Sequence, residues 1–366
     1  MYEVLIVGAG ISGMRLAQLL QQRGTHYCLI DARFRLGGRI VSQSMAEGVQ
    51  PESGHHRYDL GPSWVWPNQP RINQLARQLG IKLYPQYDQG TLVYQDQFGS
   101  IDTTINAAPM SGSLRVQGGQ QSIIDRLSTK LEAERVWLNH TVRSITQAEA
   151  GVSVKCATSC GTKIILAQRI VLAVPPRLVA KSISFFPKLK PEQTQVMGDI
   201  PTWMAGQSKF TAVYSKPFWR DHGLSGDGVS RIGPLSEIHD ASPENESRGA
   251  LFGFFGWPVQ QRQVPEKKLI EQAITQLRQM FGPEAAHPLQ VSLQDWAADP
   301  LTATAADVEQ KVQPQCGSLT ELDHLWQGRI MFSSAETAKG FSGLVEGALE
   351  AAEKVFNDLI AYDVNH

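Results

Sequence analysis

Apolar and polar positions along this chain repeat with two periods, and the change from one to the other marks its helices and strands. Val4-Leu5-Ile6-Val7 is an unbroken apolar run, as expected for a strand buried on both faces. Gly8 ends it, and Ile11 to Arg23 reads as a helix with Met14, Ala17 and Leu20 inward and Gly24 as its stop. Tyr27 to Ile30 is a second strand. The three together make a βαβ unit, whose right-handed crossover sets the strands parallel. Helical spacing returns at Arg71 to Leu79, through Ile72, Leu75 and Ala76, and at Gln121 to Leu131, through Ile123, Ile124 and Leu127.

From Val136 to Pro175 the period is that of strands. Val152, Val154 and Cys156 alternate, Cys160-Gly161 turns, Ile164 to Leu166 returns, and Ile170 to Val174 is a buried strand stopped by Pro175-Pro176. Residues 208 to 214 and 250 to 256 read as strands of a second sheet, and Lys267 to Phe281 as an amphipathic helix through Ile270, Ala273, Ile274 and Leu277. A strand at Ile330 to Phe332 and a helix from about Gly343 to Ile360 close the chain. The opening and closing units fit one nucleotide-binding sheet, so the middle of the chain is expected to leave that domain, build a second, and return.

Composition narrows the class. With 366 residues, 42% apolar and 19% charged, the chain has room for two globular domains. A net charge of −1 without a basic cluster argues against a nucleic-acid partner. Cys28, Cys156, Cys160 and Cys316 show no metal spacing, and free thiols are expected rather than a disulfide framework. The strand-like start leaves no room for a signal peptide, and no apolar run reaches the ~20 residues of a membrane span. A cytoplasmic protein is the expectation, with the sequons at Asn139 and Asn245 as chance matches. His55-His56 has no third ligand beside it and reads as a loop pair.

Gly8-Ala9-Gly10-Ile11-Ser12-Gly13 fits G-x-G-x-x-G between a strand and a helix. Gly8 permits the tight turn, Gly10 a close approach of pyrophosphate, and Gly13 the packing of helix on strand. Free N–H groups and the positive dipole end at the helix start favour phosphates. Asp31 ends the second strand, placed to accept from ribose hydroxyls. Ala32-Arg33-Phe34-Arg35-Leu36-Gly37-Gly38-Arg39 follows, a second glycine pair flanked by arginines that can approach the pyrophosphate.

The run Asp31 to Arg39 after that fingerprint resembles the signature of the FAD-binding amine oxidase superfamily. Further segments resemble it in family order. Asp59-Leu60-Gly61-Pro62-Ser63-Trp64 is similar to the segment approaching the flavin, Tyr84-Pro85-Gln86-Tyr87-Asp88 reads like a monoamine oxidase, and Gly118-Gly119-Gln120-Gln121-Ser122 resembles the glycine turn before a helix. Val171 to Pro176 resembles the family's Val-Pro-Pro strand end. Ser334-Ala335-Glu336-Thr337 and Gly340-Phe341-Ser342-Gly343-Leu344-Val345-Glu346-Gly347-Ala348 match its closing motif. The resemblance implies an α/β fold, a Rossmann-like FAD/NAD(P)-binding domain interleaved with a smaller mixed-sheet substrate domain. Its expected boundaries are residues 1–67, 116–200 and 297–366 for the first and 68–115 and 201–296 for the second. It also implies FAD as cofactor, with Val142 touching adenine through its backbone, and Pro62, Ser63, Trp64, Trp296, Glu336, Gly343, Leu344 and Val345 along the remaining cofactor. The glycine-rich turn opening the last helix would aim N–H groups at the flavin edge that becomes negative on reduction.

Lys209, in Gln207-Ser208-Lys209-Phe210-Thr211 before Pro217-Phe218-Trp219, resembles the family lysine that holds a water near flavin N5. On a strand of alternating apolar residues it is a candidate for a perturbed catalytic amine. Two departures stand out. Leu344 occupies one position of the family's substrate-flanking aromatic pair, and no aromatic follows Trp296 in Ala297 to Ala306 to supply the other. No cysteine lies in that stretch either, so the FAD is expected to be non-covalent. Between Gln95 and Gly118, only about twenty residues replace the family's helical roof, which predicts a smaller or more open site. The leading function is FAD-dependent oxidation of a small-molecule amine by hydride transfer to N5, with O2 as acceptor. The alternatives are oxidation or desaturation of a tetrapyrrole- or polyene-like substrate, and a non-catalytic flavin-binding protein. No motif sets the oligomeric state.

Overall fold

The opening apolar run folds as the inner part of the Tyr2–Val7 strand, and Val4 to Val7 are apolar because both faces of the strand are covered there. In the computed structural model, which describes residues 1–45, 56–309, 320–323 and 325–364, this strand pairs in parallel with Tyr27–Ile30 on one side and Gly161–Leu172 on the other. Val4 and Ile6 pack into a core with the Ile11–Arg23 and Val345–Val364 helices, through Met14, Leu20, Leu349 and Ala352. Leu5 and Val7 pack on the opposite face with Val152, Val154 and Ile170.

Eight strands make this first sheet, in the order Ser184–Phe186, Thr141–Ala148, Gly151–Thr158, Gly161–Leu172, Tyr2–Val7, Tyr27–Ile30 and Val136–Trp137, with Ile330–Phe332 added on Gly161–Leu172. The segments expected as separate strands at Ile164 to Leu166 and Ile170 to Val174 are one long strand. Its first half pairs antiparallel with Gly151–Thr158 and its end pairs parallel with Ile330–Phe332. The outer half is exposed at Ile164 and Leu166, which is why its pattern broke from the buried end.

The second sheet has seven strands, in the order Gln290–Asp295, Ser208–Tyr214, Gly249–Phe255, Leu235–Asp240, Leu224–Ser230, Thr91–Gln95 and Ile101–Ile105. One face packs on the Glu266–Phe281 helix, through Phe210, Ala212 and Tyr214 against Leu269, Ala273 and Leu277. The other face carries Lys209, Thr211 and Val213 by strand alternation, and there Val213, Ala250 and Phe252 meet Met45, Tyr58 and Leu60. Between Gln95 and Gly118 the chain makes the hairpin arm Ile101–Ile105 and the short strand Leu114–Val116, and no helix.

The closing helix starts at Val345, later than its pattern suggested, because Gly343 holds φ +77° and cannot continue a right-handed helix. Buried Glu346 in its first turn accepts from the backbone N–H groups of Arg71 (3.0 Å) and Ile72 (2.9 Å), so it caps the Pro70–Gln78 helix from outside that segment. Among the described residues, no helix is long and apolar enough to cross a membrane, and no group of His, Cys, Asp and Glu could hold a metal. His55 and Cys316 lie outside the described residues. His56 hydrogen-bonds Ser247, and Cys28, Cys156 and Cys160 are free thiols.

Candidate active site

The glycine-rich loop leads into the Ile11–Arg23 helix without a side-chain cap or an acid in the first turn. A Cβ on Gly10 would meet nothing within 4 Å, so the helix start faces open space. A Cβ on Gly13 would instead lie 1.9 Å from the Gly8 carbonyl, which fixes glycine there for packing. Uncapped N–H groups beside open space are what a pyrophosphate needs.

Asp31 holds this loop to the next. Its Oδ2 accepts from Ala9 N–H at 2.6 Å and its Oδ1 from Arg33 N–H at 2.7 Å. Burial raises its pKa, while those two N–H groups and the Arg33 and Arg35 charges oppose the rise. Gly37 N–H donates to Ala9 O at 2.8 Å, so the second glycine pair docks on the first loop. Ala32 lies between these anchors. The Asp31 carbonyl also accepts from His140 N–H at 2.8 Å, two residues before buried Val142.

Side chains expected at the cofactor differ in what holds them. Arg33 is paired with Asp299 at 2.8 Å, and Arg35 donates to the Gly38 carbonyl at 2.8 Å. Arg39 crosses to the far end of the chain, pairing with Glu336 at 2.6 Å and donating to Trp203 O at 3.2 Å. Ser12 Oγ donates to Ser333 O at 2.6 Å and leaves its backbone free for the loop. Gly343 N–H donates to Ala335 O at 3.0 Å, and a Cβ at Gly343 would fall 2.5 Å from that of Trp203. Leu344 N–H donates to Phe341 O and Ala348 N–H to Leu344 O, each at 3.0 Å, which leaves the N–H groups of Val345, Glu346 and Gly347 as the first turn of the last helix.

The segment Leu60 to Trp64 is pinned by three separate elements. Trp296 Nε1 donates to Leu60 O at 3.0 Å. Lys209 Nζ donates to Gly61 O at 3.1 Å and to Ser63 Oγ at 2.5 Å, on either side of Pro62. Trp64 Nε1 donates to Gln86 Oε1 at 3.0 Å. Lys209 is only 2% exposed and lies 3.9 Å from the centre of the Phe252 ring. Burial lowers its pKa to about 7, with the Asp59 charge opposing and the Arg115 charge adding. The strand is therefore not solvent-facing at Lys209.

Other groups gather beside it that sequence reasoning left unassigned. Buried His239 packs against Trp64 (5.0 Å between centroids) and Phe252 (5.4 Å) and hydrogen-bonds Asp227 at 2.8 Å. Burial pulls its pKa down, but the hydrogen bonds to Asp227 and Glu237 outweigh this and leave it raised. Sheet register explains the meeting, since Phe252 lies opposite both Thr211 and His239. Alternation around Phe252 marked a strand, but nothing local marked the partners across it.

A model of flavin containing amine oxidoreductases matches residues 95–360, and one of NAD(P)-binding Rossmann-like domains matches residues 6–79. The chain belongs to the flavin containing amine oxidoreductase family. Among its relatives is the flavin-containing amine oxidase A of Equus caballus, 23% identical, with 98% of this chain and 85% of that one covered. Putrescine oxidase of Kocuria rosea is 24% identical, with 83% and 84% covered. Among solved structures, putrescine oxidase bound to putrescine superposes with a TM-score of 0.79 at 23% identity over 98% and 99% of the two chains. Cyclohexylamine oxidase from Brevibacterium oxydans gives 0.81 at 18% identity over the whole of both. As a flavin amine oxidoreductase the chain is an FAD-dependent enzyme. Its uncapped helix start, open Gly10 and terminal Asp31 fit the nucleotide half of that cofactor.

Proposed function

We propose that this enzyme oxidises a small amine beside Lys209, Ser63, Trp64 and Phe252, with O2 as electron acceptor and FAD held without a covalent link. The observation that carries the reading is the buried Lys209 amine, fixed by Gly61 and Ser63 and lying over Phe252. Bound FAD supplies the hydride acceptor and the route to oxygen. The remaining tasks fall to the chain. The loop from Gly8 to Gly13 would receive the pyrophosphate and Asp31 the ribose hydroxyls, with Val142 at the adenine. Gly38, Arg39, Glu336 and the helix start at Gly343 to Val345 would hold the rest. Partly exposed Trp64 would offer its ring to an alkyl amine, taking over what Leu344 cannot do, with buried Phe252 packed against it and under the Lys209 amine. Lys209 Nζ would hold or release a proton close to neutral pH.

The FAD-binding domain (1–67, 116–200, 297–366) and substrate domain (68–115, 201–296) are proposed on the strand membership of the two large sheets. The Pro70–Gln78 helix is reassigned to the first, because Ile72 and Leu75 are buried in its core. Free cysteines support a cytoplasmic setting. Relatives named for putrescine and cyclohexylamine suggest which amines to try first. Anaerobic mixing of the holoenzyme with a panel containing both should bleach the flavin's visible band, and admitting O2 should restore it with release of peroxide. Bleaching by polyene or tetrapyrrole compounds alone would replace this reading with the non-amine one, and no bleaching at all would favour a flavin-binding protein without catalysis.

A further inference from the structure

Beside Lys209 lies a buried ion pair that none of the steps above uses. Asp59 ends the Arg57–Asp59 strand and Arg115 is the centre of the Leu114–Val116 strand, at 2% and 3% exposure. Asp59 Oδ1 accepts from Ser42 Oγ at 2.6 Å and from Gln120 N–H at 2.8 Å, the latter at the start of the Gln121–Ser128 helix. Asp59 Oδ2 has no hydrogen-bond partner among the described residues, and Arg115 Nη2 stands 3.9 Å away. Arg115 Nη1 donates to Asp240 O at 3.1 Å and Gln86 Oε1 at 3.3 Å, while its Nε is without a partner among the described residues. Two residues beyond Asp59, the Gly61 carbonyl takes the Lys209 amine.

Three buried ionisable groups are therefore linked through one short segment, Arg115 at Asp59 and Lys209 at Gly61 two residues on, and only one of the three is an anion. With all three charged the set carries a net positive charge, which burial disfavours. Loss of one proton removes the excess. Arg115 cannot supply it, because a guanidinium does not deprotonate in proteins, and an ionised Asp59 has none to give. Lys209 is the group that can. The other charged residues on this face belong to strands further out: Glu237 lies opposite Phe254 and His239 opposite Phe252, on the strand beyond the one that pairs with Lys209, and Asp227 is hydrogen-bonded to His239. Asp240 is engaged with Trp219 and Arg220.

We propose that Asp59 and Arg115 are positioning residues that set the protonation of Lys209 Nζ, Asp59 as its counter-charge and Arg115 as the opposing charge that makes the proton releasable. Asp59 and Arg115 do act in these opposite directions on the Lys209 pKa. The inference rests on the reading that Lys209 borders the flavin, and the test separates the two. In the oxidised holoenzyme, the flavin's visible absorption is followed across neutral pH for the wild type and for Lys209→Met, Asp59→Asn, Arg115→Gln and Arg115→Lys. A titration with its midpoint near 7 is expected in the wild type and absent in Lys209→Met. Asp59→Asn should move the midpoint down and Arg115→Gln up, each by about one unit, a tenfold change in proton affinity, while Arg115→Lys should hold it. Arg115→Gln and Arg115→Lys decide the matter alone if Asp59→Asn does not fold. A titration lost in Lys209→Met but unmoved by Arg115→Gln would overturn the inference and leave Lys209 at the flavin. A titration that survives Lys209→Met, or is absent from the wild type, would overturn both.

Discussion

Lys209 illustrates how one buried amine links stability to pH. Its folded-state pKa of about 7 lies below the ~10.4 of an unfolded lysine. Between those values the unfolded chain binds more protons, so this group's contribution makes stability rise with pH, and its full penalty applies below the folded value. Lys209→Met removes that penalty. Chemical unfolding at a series of pH values should therefore show the variant gaining most on the wild type on the acid side of neutrality, with the gain shrinking toward pH ~10. A difference independent of pH would mean that the lysine is not depressed. Arg177 presents the opposite case, since it is paired with buried Asp307, which also accepts from Thr202 N–H at 3.0 Å. Arg177→Ala leaves that carboxylate buried and uncompensated, and a loss of about 3–5 kcal/mol is expected in the same unfolding measurement. At this scale the sequence was readable wherever chemistry was local. Asp31 and Lys209 announced themselves by their neighbours in the chain. The Asp59–Arg115 and Asp227–His239 pairs did not, because register between separate segments makes them and no spacing within a segment records it.

At the scale of elements, the closing turn shows what a glycine does that its neighbours cannot. Gly343 combines φ +77° with a Cβ position 2.5 Å from that of Trp203. Gly343→Ala must therefore strain the backbone and displace Trp203, whose carbonyl accepts from Arg39. We expect a loss of about 1–3 kcal/mol and weaker retention of FAD on gel filtration, and an unchanged melting temperature would show the turn to be more yielding than drawn. Strands that are buried or regularly alternating were legible, such as Tyr2–Val7, Ser208–Tyr214 and Gly249–Phe255. Leu224–Ser230 was not, because its Gly, Ser and Asp residues carry turn-like composition. It is a strand because Thr91–Gln95 and Leu235–Asp240 pair with it on either side, a tertiary reason that local preference cannot express. The hairpin arm Ile101–Ile105 is nearly all exposed and has no apolar face to announce it.

Across the whole molecule, the proposed cofactor cradle closes the chain on itself. Arg39 meets Glu336, and Ser12 meets Ser333, so the first forty residues are tied to the stretch from Ser333 onward. The interleaved topology was visible in the sequence because the strands of both end units are largely buried and strongly patterned. The lack of a helix between Gln95 and Gly118 was visible only as a shortage of residues there. A ligand seated in such a cradle should stabilise both ends together. At ~100 times its Kd, FAD adds about 2.7 kcal/mol to the folded state by mass action, and the melting temperature should rise with its concentration. Hydrogen exchange distinguishes this from a cofactor held by the glycine loop alone. Removing FAD should speed exchange at residues 8–13 and 31–39 and, to a comparable degree, at residues 335–347, because the Arg39–Glu336 pair couples them. Faster exchange confined to the first forty residues would mean that the closing turn is formed without the cofactor and that the two ends contribute independently.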